Sequence, residues 1–220
     1  MITQTSEQEK FLAAKRSVEL VKDGMRVGLG TGSTAAYAVK CLGERVREGL
    51  NIRCVCTSIK TEQLARAESI PIFNLAEIPE LDIAIDGADE VDSQLHLVKG
   101  GGGALLREKV VASCASKFVV IVEGRKLVKN LGVFGLPIEV VPFAAAIVVP
   151  RLLKLGARSA ALRLKDDGTE FFTDQNNNII DCHFGSITNP ANLAEQIDSI
   201  VGIVEHGLFI SMTDMVIAAN

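Results

Sequence analysis

Three short segments hold the side chains best suited to acid–base chemistry on a small anionic ligand. Gly28-Leu-Gly-Thr31-Gly32-Ser33-Thr34 offers bare backbone N–H groups and hydroxyls. Asp86-Gly87-Ala88-Asp89-Glu90 sets two carboxylates three residues apart, and Lys99 is followed by four glycines, Gly100–Gly103, and then by Arg107-Glu108-Lys109. A glycine-rich turn that opens a helix can cradle a phosphate, because unsatisfied N–H groups and the helix dipole both favour an anion. Paired carboxylates that face one another cannot both ionise cheaply, so one can act as an acid while the other stays charged. A solvated acidic turn, or a magnesium site using the same oxygens, is the competing reading of that pair. Consecutive glycines lose much backbone entropy on ordering, so a run of four makes sense where main chain must approach a ligand closely. Glu108 falls in the first turns of the helix expected over about 104–115, where the dipole favours the ionised form that a base requires. Taken singly, Glu108 reads rather as a helix-stabilising first-turn acid, and Lys126 as a solvated helix-start lysine.

Two common phosphate binders are excluded. A nucleotide P-loop needs a lysine after its last glycine, and Ser33 stands there. A dinucleotide site needs an acidic residue at the end of the second strand, where the chain has Thr57-Ser58.

These segments must be placed by strands and helices, and the pattern supplies them. Met25–Leu29, Ile52–Cys56, Leu81–Ile85 and Phe118–Val122 read as strands, alternating with helices over 7–21, 35–48, 61–68 and 104–115. The nearly all-apolar Phe118–Val122 is typical of a central parallel strand. Such alternation predicts a Rossmann-like α/β domain with helices covering a parallel sheet. After Gly132 the order becomes β-α-β-β-α-β, with strands at 137–141, 158–164, 170–173, 179–182 and 203–210 and helices at 143–155 and 190–200. The 158–164 and 170–173 segments form one hairpin in this reading. That order matches a smaller α+β domain of the ferredoxin-like, split βαβ type. Met215–Ala219 should rejoin the first sheet. The expected division is residues 1–131 plus 207–220 for the catalytic domain and 132–206 for the smaller one.

Composition narrows the function classes. Net charge is −4 with scattered Lys and Arg, which argues against a nucleic-acid surface. The most apolar stretch, 133–150, is interrupted by Pro137, Glu139 and Pro142, so no membrane span is expected. The N-terminal residues lack the pattern of an export signal, and five cysteines without a C-x-x-C pair fit free thiols in a reducing cytoplasm. The three histidines have no metal-ligand spacing, so no metal is expected.

Taken together, Gly28–Thr34, Thr57-Ser58, Asp86–Glu90, Lys99–Gly102, Arg107–Lys109, Lys126, Leu136–Pro142 and Glu205–Phe209 resemble the ribose-5-phosphate isomerase family of the A type. They occur in the family's order and span nearly the whole chain. The resemblance implies interconversion of ribose 5-phosphate and ribulose 5-phosphate in the pentose phosphate pathway, without metal or organic cofactor. It implies that Glu108 is the proton-shuttling base and that Asp86, Asp89 and Lys99 surround the reacting end of the sugar. Gly87, Ala88 and Gly100, Gly101 and Gly102 would line the same end. Thr31, Gly32, Ser33, Thr34 and Lys126 would lie on the phosphate side. Arg125 departs from the family, many of whose members have serine there, and whether Lys10 reaches the phosphate stays open. The resemblance further implies a cytoplasmic homodimer or homotetramer whose partner is the small-molecule substrate. Two other readings compete. A sugar-phosphate-sensing effector domain would need a DNA-binding module, and too few residues precede the first strand for one. An acyl-CoA transferase half would leave the Asp86–Glu90 motif unexplained.

Overall fold

The computed structural model describes residues 5–219. In chain order the elements run α1 (Ser6–Val18), β1 (Arg26–Leu29), α2 (Ser33–Arg47), β2 (Arg53–Cys56) and α3 (Ile59–Ala67). Then come β3 (Ile83–Gly87), the short β4 (Glu90–Val91) and β5 (Leu97–Val98), α4 (Leu105–Ser113) and β6 (Phe118–Glu123). The later chain adds β7 (Leu136–Val140), α5 (Ala145–Lys154), β8 (Ser159–Leu162), β9 (Asn178–His183) and α6 (Pro190–Asp198). It ends with β10 (Ile203–His206), β11 (Leu208–Phe209) and β12 (Met215–Ala219). By contacts the chain divides into two compact units. The first holds the residues up to Ala88, Arg107–Leu127 and those from Met212 onward; the second holds Asp89–Leu106 and Val128–Ser211.

The first unit is a five-stranded, wholly parallel sheet in the order β12-β6-β3-β1-β2. Its core joins Val27, Leu29, Ile83, Ile85, Val119 and Ile121 of the strands to Ala13, Ala14 and Val18 of α1 and Ala38, Val39 and Leu42 of α2. All six residues of β6 are buried, as a strand covered on both faces requires. β12 pairs with β6 in parallel over Met215–Ala219, so the last apolar run does rejoin the first sheet. Strand order reverses direction between β1 and β3. That switch point opens a crevice at their carboxyl ends, where ligands of such sheets bind.

The second unit carries a four-stranded antiparallel sheet, β10-β7-β9-β8. Numbered within the unit this is 4-1-3-2, the split βαβ arrangement. Its core includes Ile138, Val140, Val148, Leu152, Ile180, Leu193 and Ile197. α5 continues through Pro150, whose ring removes one N–H without ending the helix. A separate three-stranded sheet, β11-β5-β4, is antiparallel.

Two expected strands differ. The run over 203–210 is split, because the chain passes from one sheet to the other at Gly207. The Gly207 N–H donates to the Pro137 carbonyl, its own carbonyl accepts from Lys99 N–H, and a Cβ there would lie 2.3 Å from the Lys99 oxygen. The segment 170–173 is not a strand. Only an isolated bridge, Leu164 to Glu170, joins it to its neighbour, and Thr173 turns its hydroxyl to Glu139 instead.

All five cysteines are free. Burial pushes the Cys56 and Cys182 thiols up to about 12, and Cys54 higher still, so these three are inert core residues.

At the amino ends of the central strands, Asp82 accepts from the Arg26 backbone N–H at 2.7 Å and from its guanidinium at 2.8 and 3.1 Å. This fork ties the start of β1 to the start of β3, whose far ends form the crevice. Arg26 holds the Asp82 carboxyl down to about 2. The folded value lies below the unfolded one, so the stabilisation is present above about pH 4 and is lost as pH falls toward 2. After allowing for solvent screening of a pair about one-third exposed, it is worth about 1 kcal/mol. Asp82→Asn should therefore lower stability at pH 7 by about that amount. Its urea-unfolding curve should converge on that of the parent only below about pH 2, and a constant gap at all pH values would refute the linkage.

Candidate active site at the carboxyl ends of β1 and β3

The glycine turn after β1 is built around hydroxyls. Thr31 Oγ1 lies 2.7 Å from Thr57 Oγ1, 2.8 Å from Ser58 Oγ and 3.0 Å from Thr61 Oγ1. Thr61 also donates to the Gly30 carbonyl at 3.0 Å, and Thr57 to the Leu29 carbonyl at 3.1 Å. Ser58 caps α3 by accepting from Thr61 N–H. Gly32, with φ of 120°, stands at the N-cap of α2 and leaves that end without a side-chain cap. No acidic residue occupies the first turn of α2, whereas Arg45 and Arg47 sit in its last turn. Its N-terminal N–H groups and the hydroxyls of Ser33 and Thr34 therefore suit an anion.

Asp86, on β3, is 2% exposed and turns its carboxylate into this loop. Oδ1 accepts from Thr31 N–H at 3.0 Å and from Gly87 N–H at 2.7 Å. A Cβ on Gly30 would lie 2.1 Å from that same oxygen, so the Asp86 carboxylate occupies the space a side chain would need.

The position of Glu108 follows from helix–sheet packing. Val111 of α4 packs against Gly28, where a Cβ would meet Val111 Cγ1 at 2.6 Å and Ala84 Cβ at 2.9 Å. Glu108 lies three residues earlier on the same helix face, about 4.5 Å back along the axis. A helix joining parallel strands runs against them, so that step leads from mid-strand toward the carboxyl ends. There β1 gives way to Gly30 and β3 reaches Asp86. Glu108 is 4% exposed and lies in the first turn of α4.

Lys126 closes the 3₁₀ turn Gly124–Lys126 at the carboxyl end of β6, beside β3, and is partly exposed. Glu123, the last residue of β6, accepts from the Ser6 hydroxyl at 2.9 Å and from Arg125 Nε at 2.6 Å. Lys10, buried on α1, lies 2.6 Å from Glu7 and 3.9 Å from Glu123. Arg125 therefore serves as partner to a buried acid, which also draws Lys10 to the end of β6. Burial opposes the charge on Glu123, but Arg125, Ser6 and Lys10 hold its carboxyl below the usual range.

The second unit positions the remaining residues named from sequence. Asp89 N–H donates to the Val98 carbonyl as β4 pairs with β5, and Asp89 Oδ2 accepts from Gly101 N–H at 2.8 Å. Lys99, 2% exposed, follows β5, with Nζ 5.5 Å from the centre of the Phe209 ring on β11. Gly100 and Gly103 hold φ of 98° and 80°, which side chains rarely adopt, so the turn between Lys99 and α4 requires glycine at both. Glu90 is buried and structural, accepting from Gly132 and Phe134 N–H groups at 2.6 Å each.

Thr31–Thr34, Asp86, Gly87, Ala88, Glu108 and Lys126 thus belong to the first unit, and Asp89, Lys99 and Gly100–Gly102 to the second. Sequence reading passed over three contributors. Thr61 completes the hydroxyl cluster. Glu139, buried on β7, accepts from Thr173 at 2.8 Å, from Asn177 at 2.9 Å and from Leu106 N–H in the first turn of α4. Burial raises its carboxyl, and the three donors partly offset that. Arg163 donates to the carbonyls of Gly100 and Gly101. The Ser58–Thr61 capping pattern was a sequence signal for Thr61; Glu139 and Arg163 act through distant partners and had none.

Residues 53–220 match the family described as ribose 5-phosphate isomerase A (phosphoriboisomerase A). The ribose-5-phosphate isomerase A of Ruegeria sp. (strain TM1040) is 51% identical over 218 residues, covering 96% of this chain and 83% of the relative. Among solved structures, ribose 5-phosphate isomerase A from Methanocaldococcus jannaschii superposes with a TM-score of 0.93 at 43% identity, covering 98% of this chain and 96% of that one. A D-ribose-5-phosphate isomerase in complex with phospho-erythronic acid gives 0.94 at 38% identity, with the same coverage. With relatedness this close along nearly its whole length, the chain belongs to the ribose 5-phosphate isomerase A family.

Proposed function

We propose that this chain interconverts ribose 5-phosphate and ribulose 5-phosphate through a cis-enediolate, with Glu108 moving the proton between C2 and C1. The observation that carries this reading is the packing of Val111 against Gly28 at the centre of the sheet, on the helix face that also bears the buried Glu108. The C2 hydrogen of the open-chain aldose is acidic because the C1 carbonyl takes up charge as it leaves. Glu108 removes it, the enediolate forms, and the same carboxylic acid returns it to C1. Asp86 and Asp89 exchange protons with the sugar oxygens and assist ring opening. Lys99 and the glycine-turn N–H groups stabilise the oxyanion, since pre-placed donors need no reorganisation as charge develops. Thr31–Thr34, the N-terminus of α2 and Lys126 hold the phosphate and so fix the distance from tail to reacting carbons. A relative solved with phospho-erythronic acid, a phosphorylated four-carbon sugar acid, supports a sugar-phosphate site in the family. Full-length relatedness to isomerases disfavours the sensor-domain reading.

The finer cellular setting belongs to the same proposal: a cytoplasmic enzyme of the pentose phosphate pathway, assembled as a homodimer or homotetramer. Five free thiols fit a reducing compartment. Phe143 and Val201 of the second unit, 96% and 80% exposed, support burial against another copy. Sedimentation at micromolar concentration should give the mass of at least two chains, and a clean single-chain mass would refute the assembly.

Purified protein should form ketose from ribose 5-phosphate in the presence of EDTA, because every proposed step uses side chains and backbone groups of this chain alone. Glu108→Gln should keep KM within a few-fold while kcat falls by about 10²–10⁴, the usual worth of a positioned base. Normal turnover by that variant would sink the base assignment. Lys126→Ala should instead raise KM for ribose 5-phosphate about tenfold or more; an unchanged KM would remove it from the phosphate side.

A further inference from the structure

Arg163 follows β8 and has no part in the chemistry above, yet its side chain is only 13% exposed and makes four polar contacts within the second unit. Its Nε donates to Asp181 Oδ2 at 2.8 Å and Nη2 to Asp181 Oδ1, a two-pronged pair with a carboxylate on β9. Its Nη1 reaches the Gly100 carbonyl at 3.0 Å and the Gly101 carbonyl at 3.2 Å. Its backbone N–H donates to Ile179 at 2.8 Å, which fixes where the side chain starts. The guanidinium carbon lies 5.7 Å from the centre of the Phe171 ring, and Phe171 fills the space that a Cβ on Gly103 would need. One side chain thus clamps the glycine turn from behind.

The consequence comes from peptide geometry. In a trans peptide the carbonyl and the following N–H point in opposite directions. Holding the Gly100 oxygen turns Gly101 N–H the other way, and there it meets Asp89 Oδ2 at 2.8 Å. Holding the Gly101 oxygen does the same to Gly102 N–H. We propose that Arg163 is a positioning residue for the isomerase reaction, fixing the Gly100–Gly102 peptides so that Gly102 N–H faces the developing oxyanion and Asp89 stays pinned by Gly101. Arginine suits the task because its planar fork can serve a carboxylate and two carbonyls at once while keeping its charge, which a lysine cannot do. The proposal rests on the reading of Lys99–Gly102 as the oxyanion side of the isomerase site.

The test compares the full-length parent with Arg163→Ala, Arg163→Lys and Glu108→Gln. Arg163→Ala should lower kcat per folded molecule by about 10- to 100-fold, with KM for ribose 5-phosphate within about threefold, as expected for a misplaced donor. Its inhibition constant for phospho-erythronic acid, which carries oxyanion charge at the reacting end, should rise by a similar factor. Backbone amide exchange over residues 99–106 should quicken. Millimolar guanidinium should restore part of kcat, and sodium chloride at equal ionic strength should not. Arg163→Lys should keep the fold, yet stay at least about fivefold below the parent in kcat, and it carries the test should the alanine variant not fold. Parental kcat per folded molecule in either variant would overturn the role of Arg163. So would equal losses in substrate and phospho-erythronic acid binding. Glu108→Gln separates the two claims. If it turns over normally, the isomerase reading of the site fails; if it is inactive while the Arg163 variants behave like the parent, only the clamp fails.

Discussion

Val111 sits where a side chain on Gly28 would have to be, and Asp86 sits where one on Gly30 would have to be. These two absences govern what the first unit presents at its carboxyl edge. Without the first, α4 would be lifted from the sheet and Glu108 would move with it. Without the second, the anion loop would be pushed off the end of β3, and Asp86 would lose its Thr31 N–H donor. Packed interiors tolerate such additions poorly, since forcing extra methylenes into a filled space costs about 1–3 kcal/mol and shifts backbone. Because a displacement of about 1 Å can slow a reaction about a hundredfold, equivalent to about 2.7 kcal/mol, the functional penalty of either change would match the upper end of the penalty in stability.

Burying carboxylates is the other cost of this architecture. An unpaired ion in the interior is disfavoured by several kcal/mol, whereas each hydrogen bond to a charged group returns about 1.5–3 kcal/mol. The structure meets that balance with backbone donors wherever a loop must be held. Asp86 takes Thr31 and Gly87, Asp89 takes Gly101, and Glu90 takes Gly132 and Phe134. Glu139 shows what happens when donors are fewer than burial demands. Three of them surround it, yet its carboxyl remains above the ordinary range. Glu123 falls the other way because Arg125 brings a full charge. The arginine at 125 thus strengthens the acid that attracts Lys10.

What could be read from the sequence was what is local. The fully buried β6, the glycine turn into α2, the acidic turn after β3 and the glycines before α4 all announce themselves within a few residues. The sheet order and the return of β12 follow from alternation and an apolar run. Less legible was whatever depends on partners distant in the chain. β4 and β5 are two residues each and exist because β11, over a hundred residues later, completes their sheet. The break between β10 and β11 at Gly207 comes from close approach to the Lys99 carbonyl, which no local pattern encodes. The segment 170–173 alternates like a strand but gives up its pairing to carry Phe171 under Gly103 and Thr173 to Glu139. Arg163 lies 62 residues from Gly101 and reads, locally, as one more charge on a half-exposed strand end.

Residue type therefore says little about which acids react. Asp82, Glu90, Glu123 and Glu139 are as acidic in sequence as Asp86 and Glu108, and Glu90 even shares the Asp86–Glu90 motif. The separating feature is the direction of their donors. Asp82 faces the amino edge of the sheet, where its arginine fork locks strand register. Glu90 faces a loop whose N–H groups occupy both of its oxygens. Asp86 lies at the opposite edge, at the switch point, and its neighbours are a helix N-terminus and a cluster of hydroxyls. A carboxylate becomes available for chemistry when the fold directs it toward the crevice and supplies enough donors to keep it in place. By that criterion the donors from Thr31 and Gly87 set Asp86 apart from Asp82 and Glu123, the other acids of the first unit whose donors face elsewhere.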